Sequence, residues 1–165
     1  MNDLEIKCPK CGFEQFIYSK EVNQLCPKCD NYFIFNNVEI YTDGAYSSNR
    51  NQGGIGFVIY KDDKEIFTYG KTFKNTTSQR MELLACIIAI ESVKIPSIIK
   101  IISDSQYLVK TMTDNWKRNK NLDLWKRLED AINKHIKIYF EWVKGHEDCS
   151  GNQKADYLSN RHSRI

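Results

Sequence analysis

The sequence of 165 residues lacks the features of a membrane or secreted protein. Every apolar stretch falls well short of the roughly 18 residues that a bilayer-spanning helix needs. The first residues, Met1 to Lys7, are polar and acidic, whereas a secretory leader begins with a basic segment and continues with an apolar one. Internal repeats and low-complexity tracts are also missing. These absences predict a cytoplasmic protein that does not bind membranes.

The chain also lacks a strong excess of either charge, since its formal net charge is +3. Residues 1–37 contain four Lys and five Asp or Glu, which leaves 20 basic and 16 acidic residues in residues 38–165. The larger segment would present a more cationic surface if bound metal neutralised some of its carboxylates. This balance suits a polyanionic partner, although an ordinary solvated surface can have the same composition.

What the sequence does contain is cysteine in a regular pattern. Four of the six cysteines form two CxxC pairs, Cys8 with Cys11 and Cys26 with Cys29, separated by 14 residues. Each CxxC turn can aim two thiolates at one tetrahedral ion, and the intervening segment lets the second turn complete a four-cysteine zinc site. Two disulfides are the alternative, which a reducing cytoplasm disfavours. The segment between the pairs, Phe13 to Leu25, is predicted to be a short hairpin.

These cysteines define a small N-terminal module. We expect residues 1–36 to form a zinc ribbon and residues 37–165 to form one enzyme-sized domain, because 41% apolar content suffices for one ordinary core. The ribbon is too short to bury a sufficient apolar core of its own, so one structural Zn²⁺ should supply its folding free energy. The pair Asn36-Asn37 is the only candidate linker, which excludes a long flexible tether.

From residue 38 onward, strand and helix patterns alternate. The predicted order βββαβααβα indicates an α/β fold with a mixed five-stranded sheet flanked by helices. The first three strands should make an antiparallel half, and helical crossovers should join a parallel half. The predicted elements are, in chain order, Val38 to Asp43, Gly54 to Lys61, Glu65 to Phe73, Ser78 to Val93, Ile98 to Ser103, Ser105 to Trp116, Leu122 to Lys134, Ile136 to Val143 and Asn152 to Arg161.

Acidic residues close two neighbouring strands of this predicted sheet. Asp43 and Asp104 end strands that a single helix connects, and α/β sheets bind ligands at the edge where the carboxyl ends of such strands meet. Glu82 lies on the inward face of the connecting helix, where an ionised carboxylate is costly without a facing cation. Asp156 lies on the last helix. We expect these four carboxylates to converge.

Four converging carboxylates would repel one another unless cations neutralised them. Oxygen ligands of this kind select Mg²⁺ or Mn²⁺ rather than zinc. Two such ions, roughly 3.5 to 4 Å apart, can activate a water on one side of a phosphodiester and stabilise the leaving oxygen on the other. The alternative is that the four acidic residues are unrelated caps and surface groups.

Five stretches, in order, resemble the motifs of type 1 ribonuclease H, and the likeness covers residues 38–162. They are Tyr41-Thr42-Asp43-Gly44, Arg80-Met81-Glu82-Leu83, Ser103-Asp104-Ser105-Gln106-Tyr107, Trp142-Val143-Lys144-Gly145-His146, and Asn152 with Ala155-Asp156. One such motif is weak, but five in order on the expected elements are specific. The resemblance implies a ribonuclease H-like fold and hydrolysis of the RNA strand of RNA/DNA hybrids with two Mg²⁺ ions, for which Mn²⁺ can substitute.

The resemblance also implies roles for individual residues. It implies metal ligation by Asp43, Glu82, Asp104 and Asp156, and a mobile His146 that assists proton transfer or product release. The residues implied to contact the hybrid are Gly44, Thr77, Ser78, Gln79 and Gln106. Within that set, Thr77 would bind a DNA phosphate.

The chain departs from family members that carry a longer basic protrusion for gripping substrate. Between Asp104 and His146 it is compact, yet it offers basic residues with interleaved aromatics that could follow a DNA backbone. We expect Lys117, Arg118 and Lys120 to contact the hybrid. The alternative is that these charges simply face water.

Two other functions compete with a ribonuclease. A catalytically silent hybrid-binding adaptor is disfavoured by the intact set of four acidic residues. A DNA integrase or resolvase on the same fold is disfavoured because nothing resembles a strand-joining apparatus. A nucleophilic pair of His146 and Cys149 is a further alternative, but no orienting third group is evident.

The ribbon is predicted to serve binding rather than chemistry. Its side chains carry one Asp or Glu in excess, and four thiolates with one Zn²⁺ make it more negative, so it is poorly suited to a phosphate backbone. We expect a monomer whose ribbon binds a protein partner or one feature of the nucleic acid, and so compensates in reach for the missing protrusion.

Overall fold

A computed structural model of the chain describes residues 4–8, 10–17, 23–30, 32–34, 36–145 and 149–165. Within these ranges, the strands are β1 (Leu4–Lys7), β2 (Glu14–Ile17), β3 (Asn23–Leu25), β4 (Tyr32–Ile34), β5 (Asn37–Ser47), β6 (Gln52–Lys61), β7 (Lys64–Lys74), β8 (Ile98–Ser103) and β9 (Lys137–Trp142). The helices are α1 (Ser78–Ser92), α2 (Gln106–Thr113), α3 (Leu122–Ile132) and α4 (Ser150–Ser163), and a 3-10 turn (Ser48–Arg50) follows β5.

Strands β5 to β9 form the predicted mixed sheet, in the spatial order β7-β6-β5-β8-β9. The pairs β7–β6 and β6–β5 are antiparallel, and the pairs β5–β8 and β8–β9 are parallel. The β6–β7 hairpin turns at Asp62 and Asp63, whose φ angles of 51° and 60° lie in the left-handed region that aspartate tolerates better than most residues. The prediction of an antiparallel and a parallel half is therefore confirmed.

Strand β5 is longer than predicted and continues past Asp43 to Ser47. Its antiparallel pairing with β6 runs to the end of the strand, whereas its parallel pairing with β8 stops at Tyr41. Asp43 therefore does not end its strand but stands just beyond the parallel pairing. Asp104 directly follows β8, so the two residues still meet at the same edge of the parallel half.

Helix α2 is shorter than predicted, because it ends at Thr113 rather than at Trp116. Asn115 has a φ angle of 54°, and this left-handed conformation cannot continue a right-handed helix. Helix α3 also ends earlier than predicted, and α4 extends further at both ends.

Two small hairpins replace the single hairpin predicted over Phe13 to Leu25. Strand β1 pairs with β2 and β3 pairs with β4, so each CxxC turn lies between the strands of its own hairpin. The prediction was wrong because the cysteine turns themselves reverse the chain. Gly12 donates its backbone N–H to the carbonyl of Cys8, and Asp30 donates to that of Cys26, each over 2.9 Å.

Helices cover both faces of the sheet. On one face, α1 and α3 enclose the apolar core, which includes the fully buried Trp125 and Leu128. On the other face, α4 packs closely on β6, where a Cβ atom at Gly56 would lie 2.3 Å from the carbonyl oxygen of Ala155. Gly56 pairs with Asp43, and cross-strand partners point to the same face, so α4 lies over the face that carries Asp43.

Candidate active site

Three carboxylates meet at the carboxyl edge of the parallel strands. Asp43 from β5, Glu82 from α1 and Asp104 after β8 each contribute an oxygen, and these oxygens lie within 4.8 Å of one another. We call these three residues the acid cluster. The residues come from three separate elements, so the sheet topology and the packing of α1 bring them together.

Glu82 reaches the cluster because α1 approaches β5 very closely at Gly44. A Cβ atom at this glycine would lie 2.3 Å from the backbone nitrogen of Glu82 and 2.3 Å from the backbone carbon of Met81. Any larger residue would push the helix away. Gly44 is itself buried, so its backbone, which is hydrogen-bonded to both Asp43 and Glu82, is the part that serves the site.

The acid cluster is electrostatically unfavourable without a cation. Burial raises the pKa of Asp43 from 3.8 to about 6, with further increases from the charges of Asp104 and Asp156, against hydrogen bonds from Ser159 and the Gly44 backbone that lower it. The pKa of the glutamate in the cluster is raised well above its ordinary value, again chiefly by burial and then by its two acidic neighbours.

The donor set fits hard divalent cations. Oxygen Oε2 of Glu82 is buried and has no hydrogen-bond partner among the described residues. A buried carboxylate oxygen without a hydrogen-bond partner, in a residue that lies beside two other carboxylates, is costly unless a cation is bound there. Ligands that consist only of carboxylate oxygens suit Mg²⁺ or Mn²⁺.

Asp156 lies beside the acid cluster but outside the group of oxygens within 4.8 Å. It is half-buried on α4, close enough for its charge to raise the pKa of Asp43. The side chain of Asn160 donates to Oδ1 of Asp156 over 3.0 Å, which orients this carboxylate. A bound ion or a small shift of α4 would have to connect it with the other three.

His146 lies outside the described residues, which reach Gly145 on this side. Trp142 at the end of β9 donates its indole N–H to the backbone oxygen of Asp104 over 3.0 Å. A Cβ atom at Gly145 would lie 2.9 Å from Oδ2 of Asp104, so the loop passes directly against the acid cluster.

The residues implied to contact the hybrid lie at two helix starts. Thr77, Ser78 and Gln79 are exposed at the beginning of α1, and Gln106 is exposed at the beginning of α2, two residues after Asp104. Helix starts present backbone N–H groups and a partial positive charge, which suits phosphate binding.

The predicted basic track divides into two kinds of side chain. The guanidinium of Arg118 lies 4.8 Å from the ring centroid of Trp125 and forms an ion pair with Glu129. Lys117 and Lys120 are exposed. Arg118 is therefore engaged in contacts with residues of α3, whereas the two lysines are in contact with solvent.

The four N-terminal cysteines form a second cluster. Their sulfur atoms lie within 4.8 Å of one another, with 3.8 Å between Cys8 and Cys29 and 3.6 Å between Cys11 and Cys26. A disulfide requires about 2.05 Å, so the disulfide alternative does not describe this arrangement. Burial raises the pKa of the Cys8 thiol, but hydrogen bonds from the backbone of Cys11 and Lys10 outweigh it and leave a value of about 7. The thiolate form is the one that binds metal.

The cysteine cluster packs on the enzyme-sized domain at the end of the sheet far from the acid cluster. Buried Cys8 and Cys26 contact Ile98, the first residue of β8, and the half-buried Ile136 joins the same apolar group. Asp104 follows the last residue of β8. Six residue steps of about 3.3 Å separate Ile98 from Asp104 by about 20 Å, so the cysteine cluster lies far from the acid cluster.

Sequence reasoning missed Ser159. Its hydroxyl donates to Oδ2 of Asp43, and its Oγ also lies 2.9 Å from the backbone oxygen of Asp156. The signal was available, since a residue three positions after Asp156 on a helix shares its face. Only the packing of α4 on β6, however, shows that this face meets Asp43.

Comparisons with known proteins find relatives of this chain. A family model described as RNase H matches residues 36–164. The ribonuclease H of Alcanivorax borkumensis is 41% identical over 138 residues, which cover 76% of this chain and 90% of that protein. Cys8, Cys11, Cys26 and Cys29 lie outside the range that the family model matches.

Solved structures share the fold. RNase H1 from Halobacterium salinarum superimposes with a TM-score of 0.67 at 26% identity, covering 76% of this chain and 96% of that one. The N-terminal RNase H domain of a Mycobacterium tuberculosis protein gives a TM-score of 0.69 at 21% identity over 78% of this chain and 94% of its own. The predicted fold class is thus confirmed. Among the described residues, no helix is long and apolar enough to cross a bilayer.

Proposed function

This chain belongs to the RNase H family and is a ribonuclease H, and from that premise we propose that it hydrolyses the RNA strand of RNA/DNA hybrids with two Mg²⁺ ions bound at the acid cluster. The observation that carries this proposal is the convergence of Asp43, Glu82 and Asp104, with oxygens within 4.8 Å of one another. The raised pKa values of Asp43 and Glu82 indicate that the protein itself does not compensate the negative charge.

The acidic residues would act as ligands. Asp43, Glu82 and Asp104 would hold the ions from the sheet edge and α1, and Asp156 would add its carboxylate from α4. When bound, the two ions would activate the attacking water and stabilise the leaving oxygen of the phosphodiester. His146, the residue after Gly145 in the chain, would assist proton transfer or product release.

The two exposed helix starts would bind the hybrid. In Thr77, Oγ1 accepts a hydrogen bond from the backbone nitrogen of Arg80 over 3.3 Å, and its own hydroxyl hydrogen can still be donated to a phosphate oxygen. Ser78, Gln79 and Gln106 would read the minor groove. A requirement for RNA in the cut strand follows if a ribose 2′-hydroxyl is among the contacted groups.

The cysteine cluster would bind one structural Zn²⁺. Four thiolates fill a tetrahedral site, so such an ion has no open position for substrate. Its packing on Ile98, far from the acid cluster, supports a role in structure or in partner binding rather than in hydrolysis.

A substrate panel tests this function. Labelled RNA/DNA hybrid, duplex DNA and duplex RNA are incubated with the protein in Mg²⁺, beside the Asp104→Asn variant as an inactive control. We expect cleavage of the RNA strand of the hybrid alone, and none by the variant. Efficient cutting of duplex DNA under the same conditions would favour an integrase or resolvase, and hybrid binding without cleavage would favour an adaptor.

A further inference from the structure

Ser159 is a fully buried polar residue at the boundary between the acid cluster and α4, with 0% of its side chain exposed. Its hydroxyl donates to Oδ2 of Asp43, and the same Oγ lies 2.9 Å from the backbone oxygen of Asp156. One hydroxyl thus contacts the side chain of one acidic residue and the backbone of another. A hydroxyl has a single hydrogen, and the ionised carboxylate is the stronger acceptor.

Two glycines of β6 create this contact. A Cβ atom at Gly54 would lie 2.1 Å from the backbone oxygen of Ser159, and one at Gly56 would lie 2.8 Å from its backbone nitrogen. Because Gly56 is the cross-strand partner of Asp43, the close approach of α4 places the serine directly against that carboxylate. Larger residues at either glycine position would lift α4 and separate the pair.

The carboxylates of the acid cluster are held unequally. Asp43 accepts hydrogen bonds from Ser159 and from the backbone of Gly44. In Glu82, Oε2 has no hydrogen-bond partner among the described residues. The orientation of the Asp43 carboxylate is therefore controlled in part by α4.

We propose that Ser159 is a positioning residue for metal binding, which fixes the plane of the Asp43 carboxylate and couples it to the helix that carries Asp156. This inference rests on the proposed function, since it concerns the same cations. Hydrogen-bond partners of metal-ligating carboxylates orient the ligand, and their loss typically weakens metal affinity or activity by about 10- to 100-fold.

Ser163 provides a matched control on the same helix. It is also buried, at 2% exposure, and its hydroxyl donates to the backbone oxygen of Asn160 over 2.9 Å, the distance at which the Oγ of Ser159 lies from the backbone oxygen of Asp156. The two serines therefore differ in the contact with Asp43. Both Ser159→Ala and Ser163→Ala remove a buried hydroxyl of α4 that lies close to a backbone oxygen three residues earlier, but only Ser159→Ala removes a hydrogen bond to the acid cluster.

The test measures Mn²⁺ binding to the zinc-loaded full-length protein without substrate, by the electron paramagnetic resonance signal of free Mn²⁺. We expect Ser159→Ala to weaken Mn²⁺ binding about tenfold and to raise the Mg²⁺ concentration for half-maximal cleavage similarly. The KM for hybrid at saturating Mg²⁺ should stay unchanged, and Ser163→Ala should match the wild type throughout. Equal Mn²⁺ affinities of the two variants would overturn the proposal.

A second variant covers the case in which Ser159→Ala does not fold. Ser159→Cys keeps a similar shape but replaces a strong donor with a weak one, so weaker Mn²⁺ binding is again expected and unchanged affinity would overturn the proposal. A different result would contradict the proposed function but not the role of Ser159, namely a wild-type protein that binds Mn²⁺ but does not cleave the hybrid. In that case a difference between Ser159→Ala and Ser163→Ala in Mn²⁺ affinity would still support the positioning role.

Discussion

The acid cluster and the cysteine cluster, the two candidate metal sites, lie at opposite ends of β8 and relate differently to the fold. The cysteine cluster, at the Ile98 end, is built from two local turns, and each turn lies within its own hairpin. The acid cluster, beyond the Ser103 end, takes one residue each from β5, α1 and the chain after β8. A local motif can thus create one kind of site, whereas the other requires a complete tertiary structure.

The clusters also differ in what they contribute to stability. A zinc ion bound to the four thiolates would supply folding free energy to a module that is too short for a sufficient apolar core of its own. The buried carboxylates oppose folding at neutral pH, because Asp43 and Glu82 both have raised pKa values in the folded protein. The protein therefore tolerates an unfavourable arrangement at the end where we place its chemistry, as functional sites commonly do.

The largest expected effect is the loss of cleavage activity when a residue of the acid cluster is replaced. Asp43→Asn, Glu82→Gln and Asp104→Asn should each lower the cleavage rate by at least about a thousandfold, because metal ions supply several kcal/mol of charge stabilisation in the transition state. The affinity for the hybrid should largely remain, since other residues are proposed to contact its phosphate backbone. Single-turnover cleavage and gel-shift binding measure the two effects.

Glu91→Gln serves as the control for these variants. Glu91 is also on α1, but it pairs with Arg127 over 2.7 Å. Normal cleavage is expected from this variant. Wild-type activity and metal dependence in Asp104→Asn would contradict the two-ion assignment.

The next effect concerns stability and pH. Because the pKa of Asp43 is about 6 in the folded protein against an ordinary 3.8, the folded state binds more protons than the unfolded state between these values. The contribution of this group to the free energy of unfolding therefore falls as the pH rises through that window. Without Mg²⁺ at pH 7, Asp43→Asn should raise the free energy of unfolding by up to about 3 kcal/mol.

Urea denaturation without Mg²⁺ at pH 7 and at pH 4 checks this prediction, since the gain should shrink at the lower pH. Asp114→Asn is the opposite control, because Asp114 is exposed, pairs with Lys110 over 3.2 Å and has a lowered pKa. That variant should gain no stability. A loss of stability in Asp43→Asn at pH 7 would show that the cluster is not under electrostatic strain.

A smaller effect is expected at the cysteine end. A chain of residues 36–165 keeps the 2.8 Å hydrogen bond from the nitrogen of Ile98 to the oxygen of Asn36, but uncovers Ile98 and Ile136. It should fold with about 1–2 kcal/mol less stability, since apolar side chains become exposed. Its chemical step should be unchanged, with any loss falling on hybrid affinity or targeting.

Thermal denaturation and single-turnover kinetics measure the effects of this truncation. Cys26→Ser in the full chain is the matched variant, because it removes one zinc ligand without removing residues. A truncated protein that folds and binds hybrid normally, yet cleaves far more slowly in single turnover, would assign the ribbon to the catalytic machinery.

The smallest effect should separate two kinds of basic residue. Binding of the hybrid weakens as salt is added, and the slope of log K against log salt concentration reflects the number of phosphate contacts. Lys117→Ala and Lys120→Ala should each reduce the magnitude of this slope by about 1, the value for one phosphate contact. Arg118→Ala should instead lower the melting temperature, because it removes the contacts with Trp125 and Glu129. If the wild type and both lysine variants have the same slope, residues other than these two lysines contact the phosphate backbone.

Much of this fold was predictable from local patterns. Apolar periodicity and turn residues such as Asp62 and Asp63 indicate the mixed sheet and the β6–β7 hairpin. Errors arose where pairing partners decide the outcome. Pairing with the antiparallel neighbour β6 extends β5 past Asp43. The strands β2 and β3, which lie within the predicted hairpin, pair instead with β1 and β4 across the two CxxC turns.

The sequence by itself determined the two donor sets, because CxxC spacing selects a thiolate site within one short segment and the order of strands and helices brings Asp43 and Asp104 to one edge. Only the tertiary structure decided how these donors are supported. Gly44 lets α1 bring Glu82 to the cluster, and the glycines of β6 let α4 press Ser159 against Asp43. The reason is physical: spacing along the chain encodes local geometry, whereas contacts between distant elements depend on how closely their backbones can pack.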